Sequence, residues 1–226
     1  MALERLAPLG DEGGEPRKRP QKPRTPKPRK AWPTREEREA RTEATAEALR
    51  AEIAQDPTGY ARQVCLQLLG IGPRTRAELA AALARKGVPE DAAEQVLSRF
   101  TEVGIIDDAL FASMWVSSRH RGRGLAGRAL SQELRRKGVD DETVRDAMEQ
   151  LSPDEEAETA RGLVRRKLAG TRGLATDARV RRLAGLLARK GYAAGLAFRI
   201  VKEELEREGS DPPELSFDAL QALEDD

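Results

Sequence analysis

Cysteine, histidine and aromatic side chains are nearly missing from this sequence. Its 226 residues hold one cysteine, one histidine, two tryptophans, two tyrosines and four phenylalanines. A lone Cys65 forms no intrachain disulfide, which fits a reducing compartment. With only His120 beside it, and Cys65 itself on an apolar stripe, no Cys/His set exists to ligate zinc or to pair a nucleophile with a base. No apolar run reaches membrane-spanning length and the N-terminus lacks a secretory core, so a cytoplasmic location without a membrane partner is expected. Charged residues at 35% against aromatics at 4% leave too little for one thick core and favour helices with thin apolar stripes. Stretches of period two are absent as well, which predicts an all-α fold.

Signatures of cofactor chemistry are equally scarce. The P-loop pattern does not occur. "GRGLAG" at 122–127 matches G-x-G-x-x-G in letters, but a dinucleotide site needs a strand before it and a βαβ unit around it. A helix precedes it here, and the glycines read as a flexible basic turn. His120 lies among arginines, which disfavour its protonated form. Asp107 and Asp108 are accounted for by helix capping. The sequence thus predicts no catalytic residue, no metal and no cofactor, hence no enzyme.

Repetition is what the chain has in quantity. "LARKGV" at 83–88, "LRRKGV" at 134–139 and "LARKGY" at 187–192 recur 51 and 53 positions apart. Each has a leucine four residues upstream (Leu79, Leu130, Leu183), on the same helix face as Leu83, Leu134 and Leu187. The basic pairs 85/86, 136/137 and 189/190 fall where cations suit the negative end of a helix. Gly87, Gly138 and Gly191 follow, each ready to end a helix in the left-handed conformation. The next residues, Val88, Val139 and Tyr192, are placed to touch Leu83, Leu134 and Leu187. Each hexamer is therefore a helix stop, and Gly138→Val is expected to destabilise the middle unit.

Between these stops the spacing predicts nine amphipathic helices grouped as three three-helix repeats at 57–104, 107–151 and 153–207, a tandem array forming an extended or curved scaffold. The fourth of these helices carries a predicted stripe of Leu110, Phe111, Met114 and Trp115. A polar leader helix over 34–56 opens with a T-x-x-E capping box at Thr34 and Glu37 and is anchored by Leu49 and Ile53. Residues 1–33 are Pro-rich and basic and read as disordered; 208–226 form an acidic tail. Net charge is only +1, but residues 16–35 carry nine Lys/Arg and no acid, and 208–226 seven acids and no base.

Charge is the remaining functional signal. Residues 119–137 hold seven cations, Arg119, Arg121, Arg123, Arg128, Arg135, Arg136 and Lys137, against Glu133 alone. They are the candidate partner- or phosphate-binding residues, with "RRK" at 165–167 and "RVRR" at 179–182 as extensions onto the third repeat.

The same middle stretch resembles RecX regulatory proteins. "IIDDALFASMWVSSR" followed by "GRALSQELRRKGV" places Asp107, Asp108, Phe111, Ala112, Val116, Arg119, Gly124, Glu133, Leu134, Lys137, Gly138 and Val139 on the family pattern. The likeness spans roughly 57–207, and the extended Ala/Arg-rich form is similar to actinobacterial members. It implies a non-enzymatic modulator of the RecA recombinase in DNA repair and recombination, binding the filament and restraining its ATPase, strand-exchange and co-protease activities, with single- or double-stranded DNA as a further partner; the chain itself is expected to be a monomer. Two other readings stay open. One is a stand-alone DNA-binding protein of helix-turn-helix outline at 79–100, which suffers from the acidic start of "PEDAAEQVLSRF". The other is an adaptor whose acidic tail docks a basic partner.

Overall fold

A computed structural model describes Trp32 and residues 34–210. The expectations for the basic arm before Trp32 and for the acidic residues after Ser210 lie outside the described residues. Ten α-helices and one 3-10 turn are present among the described residues, with no strand. By compactness the chain divides at Ala44/Thr45.

Helix α1 (Arg35–Gln55) crosses that division. In the first unit it opens as its sequence requires: the Glu37 backbone N–H donates to Thr34 Oγ1 at 3.2 Å and the Thr34 N–H to Glu37 Oε2 at 2.8 Å. In the second unit the helix buries Ile53 before Asp56 takes over as cap of the next helix.

The rest of the second unit is three sets of three helices. The first set is α2 (Pro57–Ile71), α3 (Arg76–Arg85) and α4 (Glu90–Glu102); the second α5 (Asp108–Arg123), α6 (Gly127–Arg136) and α7 (Asp141–Glu149). The third is α8 (Pro153–Leu168), the 3-10 turn Ala169–Thr171, α9 (Thr176–Ala188) and α10 (Ala194–Arg207). The extensive helix pairings, such as α2 with α4, α5 with α7 and α8 with α10, all lie inside one set. Each set has its own core: Ala61, Cys65, Leu79 and Leu97 in the first, Ala112, Leu130 and Leu134 in the second, Val164, Leu187 and Ile200 in the third. Cys65 is fully buried, and burial raises its thiol pKa, so it packs as an inert small side chain.

The three stops close as the hexamers predict. Gly87, Gly138 and Gly191 have φ of 78°, 77° and 87°. The N–H of Val88, Val139 and Tyr192 reaches back to Leu83, Leu134 and Leu187 O, each at 3.2 Å, and the glycine N–H to the next carbonyl along. That two-bond pattern uses up carbonyls that a helix end would otherwise strand.

One stripe lies on a different arc from the one its spacing predicts. In α5, Leu110 is 58% and Met114 53% exposed, whereas Ala112 and Val116 are buried beside Phe111, and Trp115 is half-buried. Apolar residues cover more of this helix than one set of helices can bury. Packing of α6 and α7 against the 112/116 side decides which part is covered.

Consecutive sets are clasped by the same device used twice. Thr75, N-cap of α3, donates its hydroxyl to the Lys137 carbonyl at 2.6 Å; Ala126, N-cap of α6, donates its N–H to the Lys190 carbonyl at 2.8 Å. Beside each cap, the first helical N–H meets a carboxylate from the following set: Arg76 N to Asp108 Oδ1, and Gly127 N to Glu156 Oε1, both 2.9 Å. A helix N-terminus favours both arrangements, since its free N–H groups carry partial positive charge. The adjacent aspartates thus divide the work, Asp107 capping α5 itself (2.8 Å to Leu110 N) and Asp108 capping α3 across the clasp. Burial there raises the Asp108 carboxyl above its ordinary pKa, against the opposing pull of the Arg76 N–H.

Thr75 is fully buried and serves both its own capping box and the clasp. Thr75→Val keeps the shape but loses the cap and strands the Lys137 carbonyl. We expect a loss of about 2–4 kcal/mol in urea unfolding, from roughly 1 for the cap and 1–3 for the orphaned acceptor. Thr75→Ser should cost under about 1 kcal/mol, because it keeps the hydroxyl.

Candidate functional site

The clasp between the second and third sets is the denser of the two, and it builds a cleft. The turn Gly124–Ala126 ends α5 with Gly124 at φ 62°. Three groups hold this turn: Tyr192 Oη donates to Gly124 O at 3.2 Å, Lys190 Nζ to Arg123 O at 2.6 Å, and Leu163 abuts Gly124. The loose turn expected of these glycines is instead fastened from the next set. His120 lies buried beneath it, Nδ1 2.8 Å from Leu125 O and Nε2 2.9 Å from Thr159 Oγ1. A carbonyl only accepts, so Nδ1 carries the proton. Both ring nitrogens are thereby occupied in joining α5, the turn and α8.

Above this joint opens a cleft of about 610 Å³, lined by Arg121 and Arg123 from α5 and by Arg166, Lys167 and Lys190 from the third set, with Leu163 and Leu186 between them. Glu133 is its only acidic lining residue. A second cleft of about 340 Å³ shares Lys167 and Leu186 and adds Arg182 and Arg189. Lys190 gives its ammonium to a carbonyl and Arg166 its Nε to the Gly162 carbonyl, so neither charge meets a carboxylate among the described residues. Seven cations thus share one surface, where the low-dielectric cleft walls focus their field.

The seven residues singled out from sequence divide by place. Arg121 and Arg123 reach the cleft. Arg119 and Lys137 belong to the first clasp: Arg119 lies 4.0 Å over the Trp115 ring and 3.7 Å from Glu133, and Lys137 lies 4.4 Å from the ring centroid and 2.7 Å from Glu78. Trp115 Nε1 donates to Glu133 at 2.8 Å and ties the group together. Arg135 pairs with Asp141 at 2.7 Å; Arg128 and Arg136 are exposed on α6.

The suggested extensions divide in the same way. Arg166, Lys167 and Arg182 face the clefts, whereas Arg165 grips Glu204 (2.9 and 3.0 Å) and Arg179 is buried against Thr171, Ser210 and Glu208. As Arg189 is in the smaller cleft, Lys190 is in the larger one the residue whose sequence reading stops at the helix end. Its alignment with Lys137, which also reaches back to the preceding set, was the available signal. Helix α4, the second helix of the outline resembling a DNA reader, begins with exposed Glu90 and Asp91, which repel phosphates.

The Glu204 pairing carries a pH dependence. Hydrogen bonds from Arg165 hold the Glu204 carboxyl below its ordinary pKa, with Arg207 adding to the effect. A carboxylate depressed in the folded state stabilises fully above its unfolded pKa, and the gain is lost as pH falls through the folded value. Melting temperature should therefore drop on acidification below about pH 4.5, and Glu204→Gln should flatten that limb. At pH 7 the same change should cost about 1–2 kcal/mol. That is less than for a fully buried pair, because Arg165 is half exposed and screened by solvent.

Three family models cover this chain: RecX first three-helix domain at residues 61–100, second at 107–148 and third at 154–201. A protein of Thermobifida fusca called regulatory protein RecX is 61% identical over 155 residues, covering 69% of this chain and 84% of its own. Its namesake in Streptomyces coelicolor is 55% identical over 172 residues, covering 76% and 92%. The crystal structure of RecX from Lactobacillus salivarius superposes with a TM-score of 0.62 at 19% identity, over 66% of this chain and 97% of the other, a likeness of fold.

Proposed function

Because this chain belongs to the RecX family, we propose that it binds the RecA recombinase filament and restrains its ATPase, strand-exchange and co-protease activities, with the basic cleft over the second clasp as the docking face. The observation that carries this reading is the convergence of Arg121, Arg123, Arg166, Lys167 and Lys190 from two sets of helices onto one surface. A filament of protein on DNA offers regularly spaced negative charge, from phosphates and from acidic subunit surfaces. A rigid cationic cleft meets it with little ordering cost, since the clasp has already fixed the elements that carry the cations. Nothing in this role needs a nucleophile, a base or a metal: binding strength alone decides how far the filament's own turnover is slowed.

The test is direct. Added in stoichiometric excess, the protein should slow ATP hydrolysis by RecA on single-stranded DNA several-fold and shorten the filaments seen by electron microscopy. Unchanged hydrolysis and unchanged filament length would end this reading.

A further inference from the structure

Half of a clasp is left over on the first set and the other half on the third. In the second clasp, "LAGRA" at 125–129 is the plug and "LARKG" at 187–191 the socket. The Ala126 N–H donates to the Lys190 carbonyl, and Ala129 lies so close to Gly191 that a Cβ added there would come within 2.4 Å of its nitrogen. The socket pentamer "LARKG" recurs at 83–87, and "LATDA" at 174–178 keeps the Leu-Ala and the closing Ala of the plug. A Cβ on Gly87 meets nothing within 4 Å. Among the described residues no donor reaches the Lys86 carbonyl, and the Ala175 N–H reaches no acceptor. We propose that the α9 start of one molecule plugs the Lys86–Gly87 socket of another, so that copies of this chain associate head to tail.

The two halves fit in shape. Ala126 and Ala175 are both N-caps without a side-chain cap hydrogen bond, and each opens a helix whose third residue is alanine. The free N–H groups of such a start need acceptors, and the Lys86 carbonyl is one. Between the end of α1 and the α3 stop, the socket is a cleft of about 470 Å³ floored by Leu49, Ile53 and Pro89. Leu174, 41% exposed beside the plug, supplies an apolar group for that floor.

They also fit in charge. Arg50, Arg85 and Lys86 line the cleft with no acid, and Asp177 stands exposed in the first turn of α9. The first clasp already contains such a pairing, with Lys137 Nζ donating to Glu78 of the docked helix at 2.7 Å. Because plug and socket are different surfaces, every pair keeps one of each free and copies add in a row. A contact confined to one cleft is small, so a Kd of about 0.1–1 mM is expected, with monomers in dilute solution. Neighbours held side by side on a long ligand meet at an effective concentration of about millimolar, where the contact is made.

Two measurements on the full-length chain test this. Carbodiimide coupling of an equal mixture of unlabelled and heavy-isotope-labelled protein, at about 0.5 mM and low salt, should join Lys86 of one molecule to Asp177 of another. Mass spectrometry reads the link as mixed-isotope peptides. In sedimentation velocity, Asp177→Lys alone, or Arg85→Glu with Lys86→Glu, should weaken association about tenfold or more. Mixing the two variants should restore it, since each reversed charge then meets its opposite. Circular dichroism should be unchanged, because the three side chains are exposed and have no charged partner among the described residues. Absence of the mixed-isotope link, a link from Lys86 to another carboxylate in its place, or variants that stay apart when mixed would overturn the proposal. Neither readout contains RecA or DNA, so the filament reading stands or falls separately.

Discussion

Gly191→Ala should cost about 3–4 kcal/mol, whereas Gly87→Ala should cost only about 1–2, although the two glycines have the same role in the same hexamer. Both sit at positive φ, so any side chain incurs the left-handed penalty. They differ in what surrounds them. A Cβ on Gly87 meets nothing within 4 Å; one on Gly191 lies 2.4 Å from the Ala129 backbone nitrogen and 2.6 Å from its Cβ. Gly138 is the intermediate case, where the clash is with the Ala77 side chain at 2.3 Å and its Cα stays 3.8 Å away. Adding Ala77→Gly to Gly138→Ala should therefore recover much of the loss, while Ala129→Gly should rescue Gly191→Ala far less, because backbone remains in the way. Urea unfolding of these variants and their double mutants measures both couplings. Equal losses at Gly87 and Gly191 would show that the glycines serve the stop alone and that the clasp does not depend on them.

The second large effect concerns binding. Reversing Arg121, Arg123, Arg166 and Lys167 to Glu should weaken filament binding by two orders of magnitude or more, roughly 0.7 kcal/mol or above per reversed charge. Circular dichroism should stay unchanged, since none of the four has a carboxylate partner among the described residues. Reversing Arg135 and Arg136, which lie on α6 outside either cleft lining, should have a much smaller effect. Binding by surface plasmon resonance on immobilised filaments, at two salt concentrations, separates the pairs. If the Arg135/Arg136 variant were the more damaged, the docking face would lie along α6.

Local signals carried most of the fold. The stops, the Thr34 and Thr75 capping boxes and eight of the nine apolar stripes are written in spacings of three and four, and contiguous residues settle them. The α5 stripe failed because Leu110, Phe111, Ala112, Met114, Trp115 and Val116 make two nearly equal faces, and only the neighbouring helices choose between them. The candidate cleft was legible only in part for a related reason. A run of basic letters at 119–137 wraps around α5, a turn and α6, so its members point in different directions. The cleft is assembled from residues up to 69 apart in number, such as Arg121 and Lys190. What each cation does was legible only where a carboxylate lay within a few residues, as for Arg135 with Asp141. Asp108 with Arg76 and Glu156 with Gly127 cross from one set to the next, and pairings of that kind are visible only in three dimensions.

The clasps hold a last consequence. Each joins unlike halves, a helix start on one side and a glycine turn with a carboxylate on the other, and the middle set carries one of each. A duplicated copy of that set, spliced in between the second and third, would find both of its ends already matched. The outer sets have no such freedom: Gly87 faces open space, and α9 starts at an exposed Ala175 that no side chain caps. The middle set is therefore a cassette whose two ends match each other, so that the array can lengthen from within by gene duplication.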